Sequence, residues 1–209
     1  MEEKVIGKKI IHIGIGDTGE GMVRHGFYKN LMSTNKISFI NEDAHMTMKY
    51  ARTLSKAPAF TFVRNNWDWY ISLYIHELHM WRWRGTFRDW LYSTNICFWE
   101  QFRYFTFVED KLAIPLKNIG RFENFKADLI RIVPSIIPDI VTETEMEKWF
   151  PDIYRQWYNR AWISGIESCM REELYTQDMI DKVYEQDAEM IEMFGYDHLQ
   201  QYDFGETHT

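Results

Sequence analysis

The stretch Lys9-Ile10-Ile11-His12-Ile13-Gly14-Ile15-Gly16-Asp17-Thr18-Gly19 decides how the rest of the chain is read. Its β-branched run up to Ile13 is closed by a glycine, which predicts a buried strand entering a turn. From Gly19 to Leu31 the residues Met22, Val23, Phe27 and Leu31 recur at helical spacing. Ile37-Ser38-Phe39-Ile40 reads as a second strand, Asp43 to Leu54 as a helix with Asn41 as a candidate cap, and Ala59-Phe60-Thr61-Phe62-Val63 as a third strand. This alternation predicts an α/β fold of three layers, with a central, mostly parallel sheet flanked by helices. In such folds ligands bind at the carboxyl ends of the strands.

Further along, Asp68 to Trp83 and Thr86 to Thr94 read as helices. Tyr104 to Val108 and Leu116 to Ile119 have strand character around a turn at Glu109-Asp110-Lys111, and Glu123 to Val133 returns to helix before Pro134 and Pro138 break it. Glu143 to Ser168 is Trp-rich and helical in part, and Thr176 to Phe194 is a closing helix that Gly195 terminates; the tail from Gln200 is expected to fray. No repeat or linker marks a boundary, so residues 1–209 are expected to form a single domain.

A formal charge of -7 and a pI near 5.5 exclude a general nucleic-acid binder, because no net positive field offsets phosphate repulsion. Any phosphate site must be local. Cys97 and Cys169 stand far apart and predict no disulfide framework. The N-terminal residues carry no apolar stretch of membrane-spanning or signal length, so the expected location is cytoplasmic. Glu143, Glu145 and Glu147, and the pair Glu172-Glu173, have no His or Cys at ligand spacing, and no bound metal is expected.

The glycine turn has three readings. Gly14, Gly16 and Gly19 match G-x-G-x-x-G after a strand, with Glu42 or Asp43 near the place of a ribose-binding acid, as in dinucleotide folds. Gly14 and Gly19 also have the spacing of a P-loop, although Glu20-Gly21 stands where Lys-Ser or Lys-Thr belongs. The third reading is a tight turn that needs small residues.

Phe62-Val63-Arg64-Asn65-Asn66-Trp67-Asp68-Trp69-Tyr70-Ile71-Ser72-Leu73-Tyr74 resembles the 3'-phosphate-binding motif of sulfotransferases, F-V-R-N-P-x-x-R-x-x-S-x-Y, with Arg64 and Ser72 in register. Thr86 to Leu91, Ile119 to Phe125 with Asp128-Leu129, and Val183 to Tyr196 resemble further segments of that family in its order. The resemblance implies a P-loop-like, nucleotide-kinase-like fold. It also implies transfer of a sulfuryl group from 3'-phosphoadenosine 5'-phosphosulfate to a hydroxyl or amine, a carbohydrate among the candidates, leaving 3',5'-adenosine bisphosphate. Arg64 and Ser72 would then hold the 3'-phosphate, and Gly14, Gly16, Asp17, Thr18, Gly19 and Gly21 the phosphosulfate. His45 would take the acceptor proton, and Arg121 would orient the nucleotide or brace the fold. Two departures stand out: Asp17 replaces the family's loop lysine, and Asn66 replaces its proline. The aspartate motivates a second reading, a catalytically inactive binding or structural protein on the same fold. A dinucleotide-binding oxidoreductase is the third.

Overall fold

The computed structural model describes residues 8–16, 23, 37–39, 46–80, 82–148 and 174–198. The helix expected over 19–31, apart from Val23, lies outside them, as do the Trp-rich segment beyond Lys148 and the tail from Gln200. The chain divides into two compact units, Met1–Val63 with Arg103–Asn159 and Arg64–Phe102 with Arg160–Thr209.

The first unit holds a parallel sheet of four strands: β1 (Lys8–Ile13), β2 (Ile37–Phe39), β3 (Ala59–Val63) and, after a short antiparallel hairpin of β4 (Phe107–Val108) and β5 (Lys111–Leu112), β6 (Ile119–Arg121). Their order is β2-β1-β3-β6, with Lys9 paired to Ser38, Ile13 to Thr61 and Val63 to Arg121. All of β3 is buried, as befits a strand inside a parallel sheet. Helix α1 (Met48–Leu54) is capped by the Thr47 hydroxyl and precedes β3. A later helix, Phe125–Ile136, packs Phe125, Leu129, Ile132 and Val133 on Ile10, Phe60 and Phe62 to make the core. Thr61 donates its hydroxyl to the Ile13 carbonyl at 2.6 Å and the Asn118 amide N–H donates to the Ala59 carbonyl at 3.0 Å, while Asn118 Oδ1 is buried without a partner among the described residues.

The second unit is helical: α2 (Asn66–His79), α3 (Phe87–Ser93), the start of α4 (Phe98–Thr106) and the closing helix Gln177–Phe194. In chain order Phe125–Ile136 is α5 and Gln177–Phe194 is α6. Much of the chain's aromatic surface is spent here: Trp69 stacks on Phe98 at 4.4 Å, and Phe87 meets Trp90 and Tyr175. Gly195 takes the left-handed conformation (φ 62°) expected of a glycine that ends a helix.

Four expectations are corrected. Tyr104 to Thr106 are helical, not strand, because Phe98, Phe102 and Thr106 are buried at successive turns of one helical face, while Tyr104 is exposed. Leu116–Asn118 is a 3-10 turn, and the strand begins at Ile119. Pro134 lies inside α5, buried in the core, and the helix ends at Ile136 before Pro138. Helix α2 stops at His79 rather than running to Trp83. The sequence also gave no warning that α6 is kinked at Asp187 (φ -119°, ψ 18°).

Candidate functional site

In the first unit the sheet reverses direction of growth between β1 and β3: β2 lies on one side of β1 and β3 on the other. Open α/β sheets bind ligands at the carboxyl ends of strands at such a reversal. Here β1 ends in Gly14-Ile15-Gly16. Gly16 is half-buried, its backbone is not left-handed, and a Cβ placed on it would meet no atom of the described residues within 4 Å. Among the described residues, neither conformation nor packing therefore asks for glycine at this position. Asp17, Thr18, Gly19, Glu20 and Gly21 lie outside the described residues, as do Glu42, Asp43 and His45.

Arg121 ends β6 at the same carboxyl edge. Its backbone N–H donates to Asp128 Oδ2 at 2.7 Å, and the same carboxylate receives the Arg131 guanidinium at 2.8 Å. The Arg121 main chain is thus held by α5.

The second unit opens with a buried polar run. Arg64 (5% exposed), Asn65, Asn66, Asp68 and Ser72 are all buried across the end of β3 and the first two turns of α2. Ser72 is not the surface residue that a lone serine on a helix would suggest. The Asn65 side chain accepts from the Trp67 N–H at 3.1 Å as helix cap and donates to the Asp197 carbonyl at 2.9 Å. Asn66, by contrast, is fully buried with neither its amide N–H2 nor its carbonyl hydrogen-bonded, and the indole N–H of buried Trp67 is in the same condition. A buried unsatisfied polar group costs about 1–3 kcal/mol. Three such atoms on adjacent residues at a helix start are an uncommon concentration of unsatisfied groups. Nothing in the sequence beyond asparagine at the motif's proline position signalled it.

Other motif positions are structural. Trp69 stands where the motif has a second arginine and is buried in the stack on Phe98. The Tyr74 hydroxyl donates to the Gly85 carbonyl at 3.0 Å. Of the other described histidines, His12 is buried in β1 against Phe60, while His76 and His79 are exposed at the end of α2. Arg82 reaches Glu77 at 3.5 Å.

Cys97 has a free thiol, donated to the Asp187 carboxylate at 3.1 Å, and the Trp99 N–H donates to the same oxygen at 2.8 Å. Burial, then the Asp187 charge, push that thiol up to about 12, so it is no nucleophile at neutral pH. Burial and Asp187 likewise raise the Tyr70 hydroxyl well above its ordinary range. Cys169 lies outside the described residues, as do Glu172 and Glu173.

No family model, curated protein or solved structure matches the chain. Among the described residues, no group of three or more His, Cys, Asp or Glu is placed to hold a metal ion, and no helix is long and apolar enough to cross a membrane.

Proposed function

We propose that this chain is a sulfotransferase-like protein that binds 3'-phosphoadenosine 5'-phosphosulfate on a P-loop-like, nucleotide-kinase-like sheet and moves its sulfuryl group to a hydroxyl or amine. The observation that carries the reading is the burial of Arg64 and Ser72, in the motif's register, directly after β3. A buried guanidinium presents a fork of donors that suits a phosphate, and a buried hydroxyl two turns on adds one more. The open approach to Gly16 supports the companion role for the turn after β1. The nucleotide supplies an activated sulfuryl group: its sulfur–oxygen bond to phosphate breaks as the bond to the acceptor forms. His45 takes the proton that the acceptor gives up, and 3',5'-adenosine bisphosphate leaves.

Asp17 specifically favours a second reading, a protein that keeps the nucleotide site without turnover. At contact distance a carboxylate beside a phosphosulfate costs on the order of a few kcal/mol before screening. The β2-β1-β3-β6 order does not support the dinucleotide reading, since the dinucleotide-binding order 3-2-1-4-5-6 does not place the third strand beside the first.

Incubation with the phosphosulfate donor and a panel of sugar, phenol and amine acceptors tests turnover. Release of 3',5'-adenosine bisphosphate that depends on both an acceptor and His45 supports transfer. Tight donor binding without release supports the second reading.

A further inference from the structure

We infer that the turn closing α6, Gly195 to His198, is a strap that positions Arg64 for the nucleotide, with Asn65, Tyr175 and His198 as its positioning residues. The inference rests on the nucleotide reading above. It adds no ligand contact and concerns how the second unit holds the start of α2.

Two links of different kinds tie the strap to the residues that follow Arg64. The Asn65 side chain accepts from the Trp67 N–H at 3.1 Å and donates to the Asp197 carbonyl at 2.9 Å, so the cap of α2 and the strap share one amide. The His198 ring stands edge-on to Trp67 at 5.6 Å and to Tyr175 at 5.7 Å, both at 78°. Tyr175, one residue before the Thr176 cap of α6, adds a third tie: its hydroxyl donates to the Trp67 carbonyl at 3.0 Å in a buried bond. Gly195 gives the strap its direction. Its left-handed backbone (φ 62°) ends α6, the Tyr196 N–H returns to the Ile191 carbonyl at 3.0 Å, and Asp197 and His198 follow onto the start of α2.

Arg64 is 5% exposed and precedes Asn65 directly. A guanidinium holds a phosphate through a planar fork, and that geometry fails when the main chain carrying it shifts by about 1 Å. The Asn65 side chain and the Trp67 carbonyl are each tied to residues before or after α6. Loss of those ties frees the backbone next to Arg64 without removing any group that meets the ligand.

Calorimetry with 3',5'-adenosine bisphosphate tests this on the full chain and on Asn65→Asp, Tyr175→Phe and His198→Ala. Asn65→Asp keeps an acceptor for the Trp67 N–H and removes the donor to Asp197, so the helix cap survives and the strap link does not. Each substitution should weaken binding about tenfold. In an Arg64→Lys background, which keeps the charge and lacks the fork, the same substitutions should cost at most about twofold, a coupling that a merely structural role would not produce. His198→Phe keeps a ring against Trp67 and Tyr175 and should stay within about twofold of the unsubstituted chain. Without ligand, amide exchange over the first turn of α2 should quicken in Asn65→Asp and His198→Ala. Unchanged exchange there, unchanged or tighter bisphosphate binding, or losses of the same size in the Arg64→Lys background would overturn the inference and leave the nucleotide reading standing. No binding of the bisphosphate to the unsubstituted chain would overturn both.

Discussion

Gly120 and Gly16 show how differently one residue type can be required. A Cβ on Gly120 would lie 2.4 Å from Phe62 Cε1, inside a ring that is itself buried and paired in register across β3 and β6. Gly120→Ala should therefore destabilise the protein by about 2 kcal/mol in denaturant titration. The same substitution in a Phe62→Leu background should cost less, a coupling that a double-mutant cycle measures. Gly16→Ala meets no such neighbour and should leave the melting temperature within a degree or two while weakening bisphosphate binding at least tenfold. Equal loss of stability at both positions would remove the ligand-approach argument for Gly16. At this scale the resemblance to the sulfotransferase motif singled out Arg64 and Ser72, and nothing in the sequence singled out the unsatisfied groups of Asn66 and Trp67. Their significance lies in missing hydrogen bonds, which only a folded environment defines.

The elements with a single strong determinant were the legible ones. β3 matches its apolar run residue for residue, and α3 lies between Thr86 and Thr94, with the Thr86 hydroxyl accepting from the Asp89 N–H at 3.1 Å. Where two signals competed, the reading went astray: Tyr104 and Phe105 favour strands by propensity, but the burial of Phe98, Phe102 and Thr106 at helical spacing decides the segment. The kink at Asp187 was invisible because its cause is remote in sequence, the carboxylate turning aside to take the Trp99 N–H and the Cys97 thiol. With that thiol pushed up to about 12, Cys97 should react with a disulfide reagent at neutral pH far more slowly in the native protein than in denaturant, and Asp187→Asn should speed it. Mass spectrometry distinguishes it from Cys169.

At the start of α6, Asp178 receives Arg88 at 2.7 Å, the Tyr92 hydroxyl at 2.7 Å and the Thr176 hydroxyl. The Arg88 guanidinium first, and then the Thr176 and Tyr92 hydroxyls, hold its carboxyl well below the usual carboxylate range. A depressed carboxyl stabilises the fold above its unfolded value, about pH 4, and that contribution is lost as pH falls through the folded value. The cluster is exposed, so the effect is small and screened by salt. Asp178→Asn should narrow the stability gap between pH 6 and pH 2.5 at low ionic strength, measured by urea midpoint at each pH. An unchanged gap would mean the cluster contributes nothing.

For the whole molecule, alternation of strand and helix was enough to foresee an α/β fold with a parallel sheet, but not the strand order, which depends on pairings far apart in the chain. That order sets the reversal between β1 and β3, the position at which open α/β sheets bind ligands. A net charge of -7 leaves no general field for anions, which throws the burden onto a few buried groups. Titration calorimetry with 3',5'-adenosine bisphosphate, with NAD as control, therefore tests the central claim most directly. Saturable binding of the bisphosphate, weakened at least a hundredfold in a folded Arg64→Ala variant and absent for NAD, is the predicted result. Bisphosphate affinity that Arg64→Ala leaves intact, or no bisphosphate binding at all, would contradict it.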